Sequence, residues 1–366
     1  MPNNRNCNLD LLRILCMFMV VILHTLNWGG LVEGSLIPGH YNWYSGNILF
    51  TLSLQAVNCF VLISGYFLCT SKFKLKKLVN VWTQAIFYSA VVAILVMTVF
   101  SSSFSIKEFI KSCVIFTMDR YWFVTDYLLL YITFPFLNIA IKGMNKKTHL
   151  LCCGVLISIF CVLSNIVYIT DFSEVNGGYS YIWFCVLYLV AAYIRLYVPT
   201  KIKHQKLMFP AFIFFSLCIC GERFVAYFIT PYIFGTVRLT SLFYGYNSIV
   251  SFLAAITLFQ SFRGLTIESK KTTRLISFVA PLTFAVYLIH EQDLFRPVLW
   301  DILNPDATAT KYYMVGYVLL CAISIFIICC IIEFIRQFLF KKLKINNFIN
   351  TTCDKVQNKF IAKFFN

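Results

Sequence analysis

Charged side chains are scarce: Asp, Glu, Lys and Arg make up 13% of the 366 residues, against roughly 25% in an ordinary soluble domain. Polar linkers and Pro/Gly/Ser-rich stretches long enough to separate domains are missing as well. There is no Gly-rich phosphate loop, no Ser-His-Asp arrangement, no Cys-x-x-Cys pair and no convincing internal repeat, which argues against phosphate-loop, serine-hydrolase and thiol-redox chemistry. The 15 cysteines are odd in number, and most of them, including Cys16, Cys59, Cys152, Cys153, Cys218, Cys220, Cys329 and Cys330, stand inside apolar runs. They read as small buried hydrophobes. No metal site is expected.

What the chain has in quantity is apolar surface, with 60% hydrophobic residues and a mean hydropathy of +0.77. A helix needs about 20 such residues to cross roughly 30 Å of hydrocarbon. About ten stretches qualify, near 10–28, 48–69, 80–100, 121–141, 149–169, 179–198, 208–230, 239–260, 275–293 and 313–335. Continuous apolar runs such as 91–100 and 323–332 lack the alternation of a transmembrane barrel. The expected fold is therefore an all-α, polytopic transmembrane bundle of about ten helices.

Lys and Arg concentrate in cytoplasmic loops. With the N-terminus placed inside, that side collects Arg5 and Arg13; Lys72, Lys74, Lys76 and Lys77; Lys142, Lys146 and Lys147; Arg195, Lys201, Lys203 and Lys206; Arg263, Lys270, Lys271 and Arg274; and Arg336, Lys341, Lys342, Lys344, Lys355, Lys359 and Lys363. Only Lys107, Lys111, Arg120, Arg223, Arg238, Arg296 and Lys311 fall outside. Both termini are thus expected in the cytoplasm. The net charge of +16 acts as a topology signal and an attraction to anionic membrane lipids. The cations are too dispersed for a nucleic-acid footprint, so no nucleic-acid partner is expected.

The first apolar run is interrupted by Arg13 and His24 and is followed by no small-residue cleavage site, so it is expected to stay in the mature protein. Residues 1–340 read as one membrane domain. Residues 341–366 read as a basic amphipathic tail on the inner leaflet, its apolar Ile345, Phe348, Ile349, Val356, Phe360, Ile361 and Phe364 set among Lys355, Lys359 and Lys363.

An ionisable group inside a membrane helix costs several kcal/mol unless it finds a partner or water, which marks it as a functional candidate. The first helix carries Asp10, Arg13 and His24. Eleven steps of about 100° return His24 to within about 20° of Arg13, roughly 16 Å further along the axis. Asp10, three residues before Arg13, can hold its guanidinium. Two readings compete for this face. In one, Arg13 snorkels to the headgroups and His24 is a satisfied polar residue near the outer end. In the other, Arg13 binds an anionic cosubstrate and His24 is a general base in the same cleft.

Arg13, ten intervening residues and His24 in the first helix of a basic ten-helix membrane protein resemble the Acyltransferase 3 family of integral-membrane O-acyltransferases that modify bacterial surface glycans. The second helix adds Phe60-Val61-Leu62-Ile63-Ser64-Gly65-Tyr66, close to the family's Phe-x-x-Ile-Ser-Gly-Tyr/Phe signature. Tyr121-Trp122-Phe123 with Tyr131 and Pro135, and then Tyr287-Leu288-Ile289-His290, resemble its Trp-Phe and Tyr-Leu-x-His segments in the expected order. The likeness runs to about residue 340. Two departures accompany it: Lys72, Lys74, Lys76 and Lys77 stand where many relatives carry paired arginines, losing the bidentate fork that suits phosphate, and no esterase-like domain follows the last helix, so the membrane domain is expected to complete the transfer.

The resemblance implies an O-acyltransferase, most simply an O-acetyltransferase, of the bacterial cytoplasmic (inner) membrane. It would move an acyl group from acetyl-CoA or another acyl-CoA to a hydroxyl of a cell-surface polysaccharide or its lipid-linked precursor, in association with polysaccharide assembly enzymes. His24 and Arg13 would be catalytic; Asp10, Arg13, Lys74, Lys76 and Lys77 would bind the donor; Trp122, Asp126, Tyr127, His290 and Glu291 would bind the saccharide acceptor. For Trp122 and Tyr127 the plainer reading is an interfacial anchor, and for His290 and Glu291 a hydrated helix end; Asp126 is the better candidate, since a carboxylate at that depth needs a partner. Ser64 and Gly65 read as a close helix contact, and Glu222 and Arg223 as a polar lining. The main alternative function is a carrier or flippase for lipid-linked saccharides, which the missing repeat disfavours. A polysaccharide polymerase would call for a larger outer loop than 29–47 or 294–312.

Overall fold

The computed structural model describes residues 6–100, 105–114, 121–165, 176–238 and 242–364, with side chains described to residue 359. Arg5, Arg120 and the tail side chains of Phe360, Ile361, Lys363 and Phe364 lie outside the described residues. In chain order the helices are α1 (Cys7–Asn27), α2 (Tyr41–Ser53), α3 (Ala56–Leu68), α4 (Leu75–Val99), α5 (Ile106–Cys113), α6 (Trp122–Lys142), α7 (Lys146–Ile157), α8 (Tyr181–Tyr197), α9 (Met208–Phe228), α10 (Thr230–Phe234), α11 (Ile249–Arg263), α12 (Lys270–Val279), α13 (Thr283–His290), α14 (Phe295–Leu303), α15 (Met314–Lys342) and α16 (Ile345–Phe364). Among the described residues there is no strand.

Among the described residues eight helical segments are long and apolar enough to cross a membrane, and the shorter apolar helices α8 and α11 occupy the two remaining expected places. Burial separates inner from outer members: 67% and 72% of the apolar windows of α1 and α2–α3 are buried, against 17% for α7 and 33% for α15. The first two segments therefore form the centre, and α7 and α15 present side chains outward. α1 packs on α2, α3, α11, α12, α13 and α15, with Leu9, Leu12, Cys16, Val21 and Leu26 fully enclosed.

Two expected spans are broken. The second begins earlier than the sequence suggests, at Tyr41, and is interrupted at Leu54 and Gln55 between α2 and α3. The ninth is divided by the short turn Ala280–Leu282, where Pro281 supplies no backbone N–H. The eighth, expected from residue 239, becomes helical only at Ile249. The residues before it are held in a turn: Glu222 accepts from the Phe243 amide at 2.8 Å, Asn58 donates to the Tyr246 carbonyl at 2.8 Å, and the Ser248 hydroxyl caps the helix by accepting from Ser251 N. A chain with its backbone partnered this way has no need to extend the helix.

Many polar side chains in the bundle find partners, as a lipid environment favours. Trp183 donates to Asn58 at 3.0 Å, Tyr188 to Asn138 at 2.7 Å, and Asn138 to the Leu68 carbonyl at 3.1 Å. At one end of the bundle the basic loops converge. Asn8 donates to the carbonyls of Phe262 and Arg263, Arg263 to those of Val198 and Pro199, Arg195 to Tyr66, and Lys76 pairs with Asp354. This is the end that the charge rule assigns to the cytoplasm. The tail helix α16 lies here against α4.

α3 meets α8 at Gly65, where an added Cβ would stand 2.9 Å from Ala191 Cβ and 3.0 Å from Tyr188 Cα. Gly65→Leu is expected to destabilise the detergent-solubilised protein by about 1–3 kcal/mol, read as a lower midpoint for heat-induced aggregation. An unchanged midpoint would mean that α3 and α8 do not approach this closely.

Candidate active site

The interrupted segments enclose a cavity of about 1310 Å³. α1 lines it with Arg13, Met17, Val20, His24 and Asn27; the breaks at Leu54 and at Ala280 and Pro281 open onto it; and α6 contributes Trp122, Phe123 and Tyr127. Arg13 and His24 therefore share one enclosed volume, as their spacing on the helix requires. Asp10 accepts from Arg13 Nη1 at 2.5 Å and does not itself line the cavity. Its carboxylate fixes the guanidinium that does.

His24 is joined across the bundle by the end of α13. Its Nδ1 lies 2.9 Å from His290 Nε2 and 2.8 Å from Glu291 Oε2. The hydrogen-bond pattern assigns the tautomers. His290 Nδ1 lies 2.5 Å from the Val286 carbonyl, and a carbonyl only accepts, so the proton sits on His290 Nδ1 and the neutral ring keeps its lone pair on Nε2. His24 must then be the donor, with its proton on Nδ1. The lone pair of His24 is left on Nε2. Glu291 is held in turn by Arg296, whose Nη1 donates to Oε1 at 2.5 Å and whose guanidinium lies 4.3 Å from the centre of the Trp28 ring.

His24, His290 and Glu291 are also the one set of three potential metal ligands among the described residues, with donor atoms within 4.8 Å of one another. Two imidazole nitrogens on a tetrahedral zinc with bonds of 2.0–2.1 Å would stand about 3.3 Å apart. The observed 2.9 Å suits a shared proton better.

Away from Arg13 the wall becomes aromatic. Trp122 and Tyr246 stack at 6.2 Å with 22° between their planes, and Tyr179 lies 4.6 Å from Trp122 and 4.8 Å from Tyr246. Gly178, at φ +92°, makes this approach possible, since a Cβ there would meet Tyr246 Cβ at 2.6 Å. The acids and bases lining the cavity among the described residues are Arg13, His24, Glu33, Glu291 and Arg296.

The residues singled out from sequence divide accordingly. Arg13, His24, Trp122, Tyr127 and Glu291 line the cavity. His290 does not offer a face to a saccharide, because it is fully buried with both ring nitrogens engaged. Asp126 is half-buried and outside the lining. Lys74, Lys76 and Lys77 also stand apart from the cavity: Lys74 and Lys77 are exposed, and Lys76 turns to Asp354 of α16. Tyr179, Tyr246 and Arg296 were not anticipated. Their signal is weak, because nothing local connects residues 24 and 290, which only the fold brings together.

The family model described as an acyltransferase domain matches residues 7–334. No curated protein and no solved structure matches the chain. The matched span begins at the first residue of α1 and ends within α15, taking in every wall of the cavity. The chain belongs to the Acyltransferase 3 family and is a multi-pass membrane acyltransferase.

Proposed function

We propose that this protein moves an acyl group, acetyl in the simplest case, from acyl-CoA to a hydroxyl of a cell-surface polysaccharide or its lipid-linked precursor, in the bacterial cytoplasmic membrane. The observation that carries this reading is the imidazole of His24, held in one tautomer by His290 with the Glu291 carboxylate beside it, in the cavity that also receives Arg13. A carrier needs no base to act on a hydroxyl of its cargo. An acyl transfer to an alcohol does, because the hydroxyl is a weak nucleophile until its proton is taken.

The chemistry follows from that orientation. His24 Nε2 accepts the sugar hydroxyl proton as the oxygen bonds to the thioester carbonyl carbon. The C–S bond then breaks, and the imidazolium returns the proton to the departing sulfur, giving an ester and free thiol. The positive charge that develops on His24 lies against the Glu291 carboxylate, 2.8 Å from Nδ1, so that carboxylate stabilises the charge and fixes the ring. The acceptor enters along the Trp122, Tyr179 and Tyr246 wall, where sugar C–H faces pack on aromatic rings. The donor enters from the Arg13 end, where the guanidinium meets polar or anionic groups of the donor arm.

Purified protein in nanodiscs, given radiolabelled acetyl-CoA and a glycan acceptor, is expected to release free CoA and label the glycan. His24→Ala should lower kcat by about 10²–10⁴-fold while the protein still elutes at the position of the unmodified chain; full activity would remove His24 from the mechanism. Glu291→Gln, which keeps the shape and removes the charge, should lower kcat by roughly 10-fold or more with little change in donor KM. Equal losses in kcat and in thermal stability would instead make Glu291 a structural residue. Arg13→Ala should chiefly raise donor KM, and an unaltered dependence on acetyl-CoA concentration would contradict its assignment.

A further inference from the structure

A second cavity, about 550 Å³, lies at the basic end between α4, α15 and α16. Its size falls in the range of small-ligand sites. Its lining includes Asn80, Gln84, Arg336, Lys341, Lys344 and Asn346, and among the described residues no Asp or Glu. One wall is built rigidly from below. Glu333, fully buried, accepts from Tyr88 at 2.5 Å, from Gln84 at 3.2 Å, from Gln337 at 2.8 Å and from Arg336 twice, at 2.6 and 2.7 Å. The Arg336 charge is thereby matched. Lys341 and Lys344 have no ion pair with an acid among the described residues, so the cavity carries an excess of positive charge. Lys344 sits at φ +58°, in the tight reversal from α15 to α16, which holds the two lysines on either side of one corner. Gln84 lines this cavity and the large one alike.

We infer that this second cavity receives the phosphorylated nucleoside end of the acyl-CoA donor, an inference that rests on the donor class proposed above. Lys341 and Lys344 bind phosphate oxygens, and the amides of Asn346 and of Asn80, which already donates to Asn350 Oδ1 at 3.1 Å, serve the edge of the base. The acyl arm then passes Gln84 into the large cavity toward Arg13 and His24. Donor recognition moves accordingly from the lysines that begin α4 to those that end α15. A lipid headgroup shares the phosphate chemistry but presents no base edge to the amides.

The test is binding read without turnover. Full-length protein in nanodiscs of zwitterionic lipid is titrated with adenosine 3′,5′-bisphosphate by calorimetry, beside the double variant Lys341→Gln, Lys344→Gln, which removes two exposed charges and leaves the Glu333 cluster in place. The expected result is affinity about tenfold weaker in the variant, together with a roughly tenfold higher KM for acetyl-CoA and an unmoved KM for S-acetylpantetheine, which lacks the nucleotide. Equal affinities in the two proteins would overturn the site. So would loss of bisphosphate binding to the unmodified protein when phosphatidylglycerol is included in the discs, which would assign the cavity to a lipid. Lysine-dependent nucleotide binding without any release of CoA from acetyl-CoA would contradict the transfer reading and leave the site standing; acetyl-CoA turnover indifferent to the lysines would contradict the site alone.

Discussion

The contact between His24 and the His290–Glu291 pair is the constraint from which the rest of the arrangement follows. An imidazole in the last turn of a membrane helix is costly unless each polar edge is satisfied, and here one edge is satisfied by groups 266 residues away in the chain. Meeting them places the end of α13 beside α1, and α12 and α13 are divided at Ala280, Pro281 and Leu282. That division opens the wall of the cavity. The same break therefore supplies the partner of His24 and the space in front of it.

Around this contact the bundle is polarised along α1. At one end stands Arg13, held by Asp10, on the side where Asn8 meets the backbone at Phe262 and Arg263. Toward the other, Trp28 carries Arg296, which carries Glu291. The roughly 16 Å of helix between Arg13 and His24 is the distance over which the proposed reaction separates donor recognition from proton transfer. Glu333 plays a comparable structural part for α4 and α15, gathering Tyr88, Gln84, Arg336 and Gln337 about one buried carboxylate.

Much of this was legible in the sequence, for identifiable reasons. Apolar runs of about 20 residues have one solution in lipid, so the spans could be counted; the 3.6-residue period put Arg13 and His24 on one face before any coordinates; and the order of the motifs around Ser64, Trp122 and His290 pointed to the family. What was not legible depends on contacts between distant segments. The acidic partner of Lys76 sits on α16, and without α16 in place the lysines of α4 look free to bind a donor. His290 reads as a hydrated helix end until its burial against His24 is known. The late start of α11 follows from hydrogen bonds made by Glu222 and Asn58, neither of which hydropathy registers.

The central claim is a tautomer: His24 protonated on Nδ1 and bearing its lone pair on Nε2, imposed by a neutral His290 that donates to the Val286 carbonyl. With five histidines in the chain, ¹⁵N NMR of protein labelled at histidine and assembled in nanodiscs can resolve the ring nitrogens, with His24→Asn used for assignment. The account predicts that His24 and His290 both carry protonated Nδ1 and unprotonated Nε2 at neutral pH. A His24 ring protonated on Nε2 would place a proton where the base needs a lone pair and would contradict the account.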